Sequence, residues 1–373
     1  MDITASEFKI PFKTAFKHAK AERRSTQSIF ASVQRNGAVG IGEACPRQYV
    51  TGETVGSCLK WIRDNKTSIA CGCRDLKSLN QWRSCNQKSI SRNPSAWCAV
   101  ELALLDLFAI EENISVEELL DLESSSGTYQ YTAVIGDCKD DEFNKVFSRY
   151  SAFGFRDYKL KISGNADSDM AKIKKIAESA GNVRIRLDGN NIWSKDYQKA
   201  KSYLGNIDHE IFAIEEPLGV RDFGRIEKLS NALSIPVILD ESVCNLADIR
   251  RIPLVPEKCI INVRISKMGG LLTSLRMIEI SRERGFKVII GCMVGETTLL
   301  GRAALIAAKF SSTIRVAQEG AFSDLLLEYD PVRPKIKFGE KGILRFKETK
   351  RTDVDWQPGW GLSPVEPETV NPS

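Results

Sequence analysis

The sequence predicts an α/β protein, a parallel barrel of strand–helix units preceded by a compact α+β module. Three observations carry this. Eight short apolar runs follow one another after residue 128: "YQYTAVI", "DYKLKI", "VRIRLD", "IFAIEEP", "PVILDES", "CIINVRIS", "KVIIGCM" and "STIRVA". Their starts recur about every 24 to 28 residues, the length of a strand, a loop, a helix and a return loop in a parallel barrel. The stretches between them, among them "DSDMAKIKKIAESAG", "SKDYQKAKSYLGNI" and "LLTSLRMIEISRERG", are amphipathic, and two end near a glycine helix stop. A doubly wound open sheet is the alternative, and eight near-equal repeats favour closure.

The first part, residues 1–125, reads as a separate α+β module. It opens with a strand, "DITASEFKI", and a turn-rich "PFKTAFKHAKAERR". In "STQSIFASVQRNGAVGIGEA", Asn36-Gly37 between two apolar runs signals a hairpin. Helices are expected over "TVGSCLKWIRDN" and "NPSAWCAVELALLDLFAIEEN", the second with the all-round apolar spacing of a buried helix. Residues 126–320 form the barrel. The remainder, 321–373, ends in a Pro/Gly-rich tail expected to be partly ordered.

Composition is that of a soluble globular chain, with 42% hydrophobic and 27% charged residues. A net charge of +5 spread over 53 basic and 48 acidic residues gives no nucleic-acid footprint. No run approaches the length of a membrane span, and the N-terminus lacks a signal-peptide core. The ten cysteines are dispersed and read as reduced thiols of a cytoplasmic protein, with no zinc spacing. Only two histidines occur, so chemistry has to rest on lysines and carboxylates.

In such a barrel, side chains that do chemistry project from the C-terminal strand ends. The second run ends with Lys159 and Lys161, which share one face of a strand. Crowded cations lower each other's pKa, one way to make a lysine serve as a base. The next ends bring Asp188, then Glu215 and Glu216, then Asp240 and Glu241, then Arg264 and Lys267. Three acids at successive strand ends repel unless a cation joins them, and an all-oxygen donor set selects a hard ion such as Mg²⁺. Asp188, Glu215 and Asp240 are therefore the candidate ligands of one divalent ion. A substrate carboxylate on that ion would have a more acidic α-proton for Lys161 to remove, with Lys159 as its electrostatic partner.

These residues resemble the enolase superfamily, and within it the muconate-lactonizing enzyme subgroup. The likeness spans nearly the whole chain: "PFKTAFKHA" and "GEACPRQYVTGET" in the first module, then KxK, DxN, EEP, DES and "SKMGG". The first two motifs look most like the dipeptide epimerases. The resemblance implies a modified (β/α)7β TIM-type barrel with an N-terminal capping domain over its mouth, and a small-molecule carboxylate as substrate. Dimers or larger homo-oligomers are common in the family. Lys17 and His18 fall in the cap loop that reaches the barrel mouth, and Asn190 would orient the metal shell or form an Asx-turn. Trp61 and Trp193 read as packing residues.

Two departures bear on the reaction. Epimerases of this kind carry a second lysine where "NVRISK" has Arg264, and arginine holds a carboxylate or negative charge but is a poor proton acceptor. Lys267 could replace that base only if the backbone shifted. The Asp-x-Asp that binds a substrate amine is represented by Ala317 and Glu319, and "GCMVGETT" replaces a Met-x-Glu, leaving Glu296 as a candidate rim residue for substrate. The expected activity is that of an isomerase acting on a dipeptide or amino-acid derivative, or a cycloisomerase. Alternatives are a one-base syn-dehydratase of the o-succinylbenzoate synthase type, or a barrel that binds metal and ligand without turnover.

Overall fold

The structure, a computed structural model, describes residues 1–18, 21–179, 182–349 and 351–365, except for the side chains of residues 17, 18, 21 and 22. At its centre are eight parallel strands in consecutive order: Ala133–Ile135, Asp157–Lys161, Arg184–Asp188, Ala213–Glu215, Val237–Leu239, Cys259–Val263, Lys287–Ile290 and Arg315–Gln318. The Thr132 N–H donates to the Gln318 carbonyl at 2.8 Å, which joins the first strand's side of the sheet to the last. Helices follow the first seven strands, from Asp140–Phe153 after the first to Thr298–Phe310 after the seventh, and the single turn Ser323–Leu326 comes next after the eighth. This is the (β/α)7β pattern.

The second strand shows how the pleat sorts side chains. Tyr158 turns outward onto Phe147 of the helix Asp140–Phe153, with ring centroids 6.0 Å apart, while Lys159 and Lys161 turn into the lumen toward Glu215 and Asp188. The lumen is divided. Ala213, Ile238, Ile260, Ile289 and Ala317, one from each of the fourth to eighth strands, form an apolar plug. Toward the second and third strands it is ionic, with Lys159 and Arg186 on Glu319.

The N-terminal module is an antiparallel sheet of Asp2–Phe8, Ser28–Arg35 and Ala38–Ala44. Asn36 (φ 51°) and Gly37 (φ 86°) make the predicted two-residue turn. The helix Pro94–Glu112 lies so close on this sheet that a Cβ at Gly42 would stand 2.0 Å from the Ala99 carbonyl oxygen. Trp360 packs on the same module, its indole N–H donating to the carbonyls of Ile41 and Leu102 at 3.2 Å.

Two segments differ from the sequence expectation. Residues expected to be turn-rich form a hairpin, Pro11–His18 with Ala21–Ser25, because Phe12 has an apolar seat among Ile10 and Leu327 that holds the strand down. The run "YQYTAVI" is two strands: Gly127–Gln130 pairs antiparallel with Ile343–Phe346, and the barrel strand begins only at Ala133. Tyr131 still donates its N–H to Gly342, and the neighbouring Thr132 donates to Gln318, so pairing changes sheets within one residue. Among the described residues no helix is long and apolar enough to cross a membrane.

Candidate active site

Strand register sets the site. Lys161 stands beside Asp188 and Asp188 beside Glu215 on three neighbouring strands, with Asp240 just beyond the fifth. All are buried in the rim. Lys161 Nζ donates to Asp188 Oδ2 at 2.7 Å and to Asn190 Oδ1 at 2.8 Å. The Asx-turn at the strand end is formed by Asp188, whose Oδ1 accepts the Asn190 N–H at 3.1 Å, while the Asn190 side chain touches the lysine.

Lys159 is clamped. Its Nζ lies 3.0 Å from Glu215 Oε2, 3.0 Å from Glu319 Oε2 and 3.5 Å from Asp188 Oδ2. Burial would lower its pKa, but Glu215, Glu319 and Asp188 outweigh that and hold its ammonium well above the ordinary lysine value. The sequence expectation of mutual lowering is corrected at Lys159, because three carboxylates at 3.0 to 3.5 Å outweigh the neighbouring Arg264. It is a fixed positive charge.

Arg264 follows the sixth strand, four strands from Lys161 in a ring of eight, so the two stand on opposite sides of the mouth. Its Nη2 reaches Asp240 Oδ2 at 2.5 Å and Glu215 Oε1 at 3.2 Å. Its pKa rises well above the ordinary value; burial opposes the rise, and Asp240, Glu215 and Glu319 drive it. Lys267 takes a different place from the one expected of a second base. It has 0% exposure and donates to the Asp240 carbonyl (2.8 Å), Asp240 Oδ1 (2.9 Å) and the Asn262 carbonyl (2.8 Å), so it props the rim from behind and does not line the cleft.

Glu216 accepts from the N–H groups of Asp240 and Ser242, both at 2.7 Å, and from Ser242 Oγ at 2.9 Å, which fixes the loop carrying Asp240. Burial, with Glu241 next to it, pushes its carboxyl up to about 8. Glu241 is itself buried. Glu319 has Oε2 on Lys159 and Oε1 on Arg186 at 3.1 Å, and Ala317 belongs to the apolar plug, so neither position offers a free acid to a substrate amine. Lys17 and His18 lie on the hairpin whose Phe16 lines the cleft, and their side chains fall outside the described ones.

Two contributors were missed in the sequence. Asn262 donates to Glu215 Oε1 at 2.9 Å, and Arg186 braces Glu319. Both had a signal: Asn262 is a polar residue inside "CIINV", and Arg186 sits at strand period with Asp188 in "RIRLD". Trp61 and Trp193 are packed as expected, at 9% and 3% exposure.

The cleft above these charges is walled by Phe16, Val134, Tyr150, Val294, Phe322 and Leu326, with Cys292, Met293 and Glu296 on the seventh-strand side. It can take an anionic head onto Lys161 and Arg264 and an apolar remainder against the walls. The three acids Asp188, Glu215 and Asp240 fit a hard divalent ion by donor chemistry and adjacency. In the structure their charge is met by Lys161, Lys159, Arg264 and Lys267, and among the described residues no three His, Cys, Asp or Glu side chains are grouped so as to hold a metal ion.

Comparison with known proteins agrees with this architecture. Residues 143–367 match the family model described as enolase C-terminal domain-like. The chain is 26% identical over 348 residues to a hydrophobic dipeptide epimerase of Enterococcus faecalis, covering 91% of this chain and 95% of that protein. It is 26% identical over 363 residues to the o-succinylbenzoate synthase of Bacillus subtilis, covering 95% and 90%. Among solved structures, the dipeptide epimerase of Enterococcus faecalis complexed with Mg and L-Leu-L-Tyr superposes with a TM-score of 0.81 at 22% identity, covering 97% of this chain and 98% of that one.

Proposed function

This chain belongs to the enolase C-terminal domain-like family, and from that premise we propose that it removes the α-proton of a small carboxylate substrate through Lys161, as an isomerase of a dipeptide or another amino-acid derivative. The observation that carries this is Lys161 itself, a buried lysine at a strand end that lines an apolar cleft and faces a fixed guanidinium across the ring. Lys161 Nζ, once neutral, takes the proton. Arg264, which stays charged, holds the negative charge that the departing proton leaves on the carboxylate side. Lys159, tied to Glu215 and Glu319, adds a fixed positive charge beside the base. The aromatic and aliphatic walls exclude water, which strengthens each of these charges.

Asp188, Glu215 and Asp240 are the residues proposed to hold one Mg²⁺, with Glu216 and Asn190 positioning the loops that carry them. When bound, the ion would supply Lewis-acid stabilisation of the substrate carboxylate. A second reading, one-base elimination, is favoured by Arg264, because a guanidinium cannot return a proton from its side. The test is α-proton exchange in D₂O with Mg²⁺ present, wild type against Lys161→Ala. Exchange that survives in Lys161→Ala would remove Lys161 from the role.

A further inference from the structure

We propose that Glu296 is the acid–base partner of Lys161, delivering the proton to the α-carbon from the Arg264 side of the cleft. This rests on the reading of Lys161 above. Lys161 ends the second strand, whereas Glu296 follows the seventh, next to the sixth that carries Arg264. Both side chains line the same cleft, so a substrate held between them presents opposite faces to the two groups. Arg264 occupies the neighbouring rim position and cannot exchange a proton near neutral pH. Lys267 is turned away beneath Asp240, and Glu319 is taken by Lys159 and Arg186. On that side of the mouth Glu296 is the carboxyl that lines the cleft with the geometry to serve.

Its local structure suits the task. Glu296 Oε1 accepts the Met293 N–H at 2.6 Å, closing a short turn after the seventh strand and fixing the carboxyl in place. The surrounding charged and titratable groups are Glu43, Cys45 and Arg47 from the cap, Cys98 on the helix Pro94–Glu112, and Arg264 and Cys292 at the rim. Burial pushes the carboxyl up to about 8, against the pull of the Met293 N–H, Arg264 and Arg47. A carboxyl raised in this way is suited to serve as a general acid near neutral pH.

The step balances without another reactant. Neutral Lys161 takes the α-proton and becomes an ammonium, and the C–H electron pair moves onto the carboxylate. The Glu296 O–H then breaks, its proton forms the new C–H bond on the opposite face, and a carboxylate remains. Proton exchange with water at the cleft mouth returns Lys161 to the amine and Glu296 to the acid. The reverse direction uses the same groups in exchanged roles.

The experiment follows deuterium at the α-carbon of two probes, L-Ala-L-Phe and N-acetyl-L-phenylalanine, in D₂O with Mg²⁺ and the full-length protein. Wild type is expected to incorporate deuterium with inversion. Glu296→Gln, which keeps an acceptor for the Met293 N–H, should retain exchange without inversion to within about threefold while inversion falls by at least about 100-fold. Glu296→Asp should restore part of the inversion. The proposal is overturned if Glu296→Gln inverts within about threefold of wild type, if exchange and inversion fall together, or if wild type exchanges only with retention. That last outcome leaves Lys161 standing, whereas absence of exchange with both probes removes the Lys161 reading and this one with it.

Discussion

Replacing Lys267 with methionine separates support of the rim from chemistry within it. Lys267 has no exposed surface, and its Nζ makes three hydrogen bonds, two to Asp240 and one to the Asn262 carbonyl. Methionine fills the volume but leaves two buried carbonyls short of a donor and Asp240 with Arg264 as its nearest remaining cation. Breaking a buried pair in this way costs about 3 to 5 kcal/mol. Unfolding entropy scales to roughly 0.8 kcal/mol per kelvin for 373 residues melting as one unit. Calorimetry should therefore show Tm falling by about 4 to 6 °C. Lys161→Ala also breaks a buried pair, with Asp188 at 2.7 Å, but leaves Lys159 at 3.5 Å from that carboxylate, so Tm should fall by no more than about 4 °C while α-proton exchange is lost. A Lys267→Met protein with unchanged Tm but no exchange would show that Lys267 acts on substrate and would refute the assignment.

Other outcomes follow from the same geometry. Free Mg²⁺ at about 100 times its dissociation constant should stabilise the protein by about 2.7 kcal/mol in a thermal shift, and Asp240→Asn should abolish the shift. An alanine at Gly291 would put a Cβ 2.1 Å from Asn262 Oδ1 and 3.1 Å from Arg264 Cγ, so Gly291→Ala should cost about 1 to 3 kcal/mol and lower activity at least tenfold; near-normal turnover would contradict that crowding. Burial pushes the Asp106 carboxyl up to about 7, so the folded chain keeps a proton that the unfolded chain releases near pH 4. Its contribution to stability is full below that pH and is lost as pH rises through about 7, on the order of 4 kcal/mol in all. Asp106→Asn should flatten urea-melt stability over that window.

Much of the rim was legible because a charged residue closing an apolar run of period two has one place to go in a parallel barrel. Lys161, Asp188, Glu215 and Asp240 were found in this way, and their register places the first three side by side. What was not legible depends on partners far away in the chain. Lys159 meets Glu319 across 160 residues, and no local pattern could say that this acid is spent on a lysine and an arginine instead of facing a substrate. Lys267 reads like any other rim cation until the turn that carries it, Ile265–Met268, is seen to bend it behind Asp240. The hairpin at residues 11–25 was missed for a similar reason, since Phe12 gains its seat only from Leu327.

A ring of strands is weakest where its ends meet, and here a first strand of only three residues meets the eighth. Charges stitch that seam from inside. Arg186 on the third strand holds both Glu319 beyond the eighth and Thr132 Oγ1 before the first, and Thr132 Oγ1 in turn donates to Asp157 at the foot of the second. Peeling the eighth strand from the first thus requires breaking ionic ties to strands two and three as well as the edge hydrogen bond. The barrel resists opening there as a braced hoop does, with its load carried across the lumen instead of along the rim.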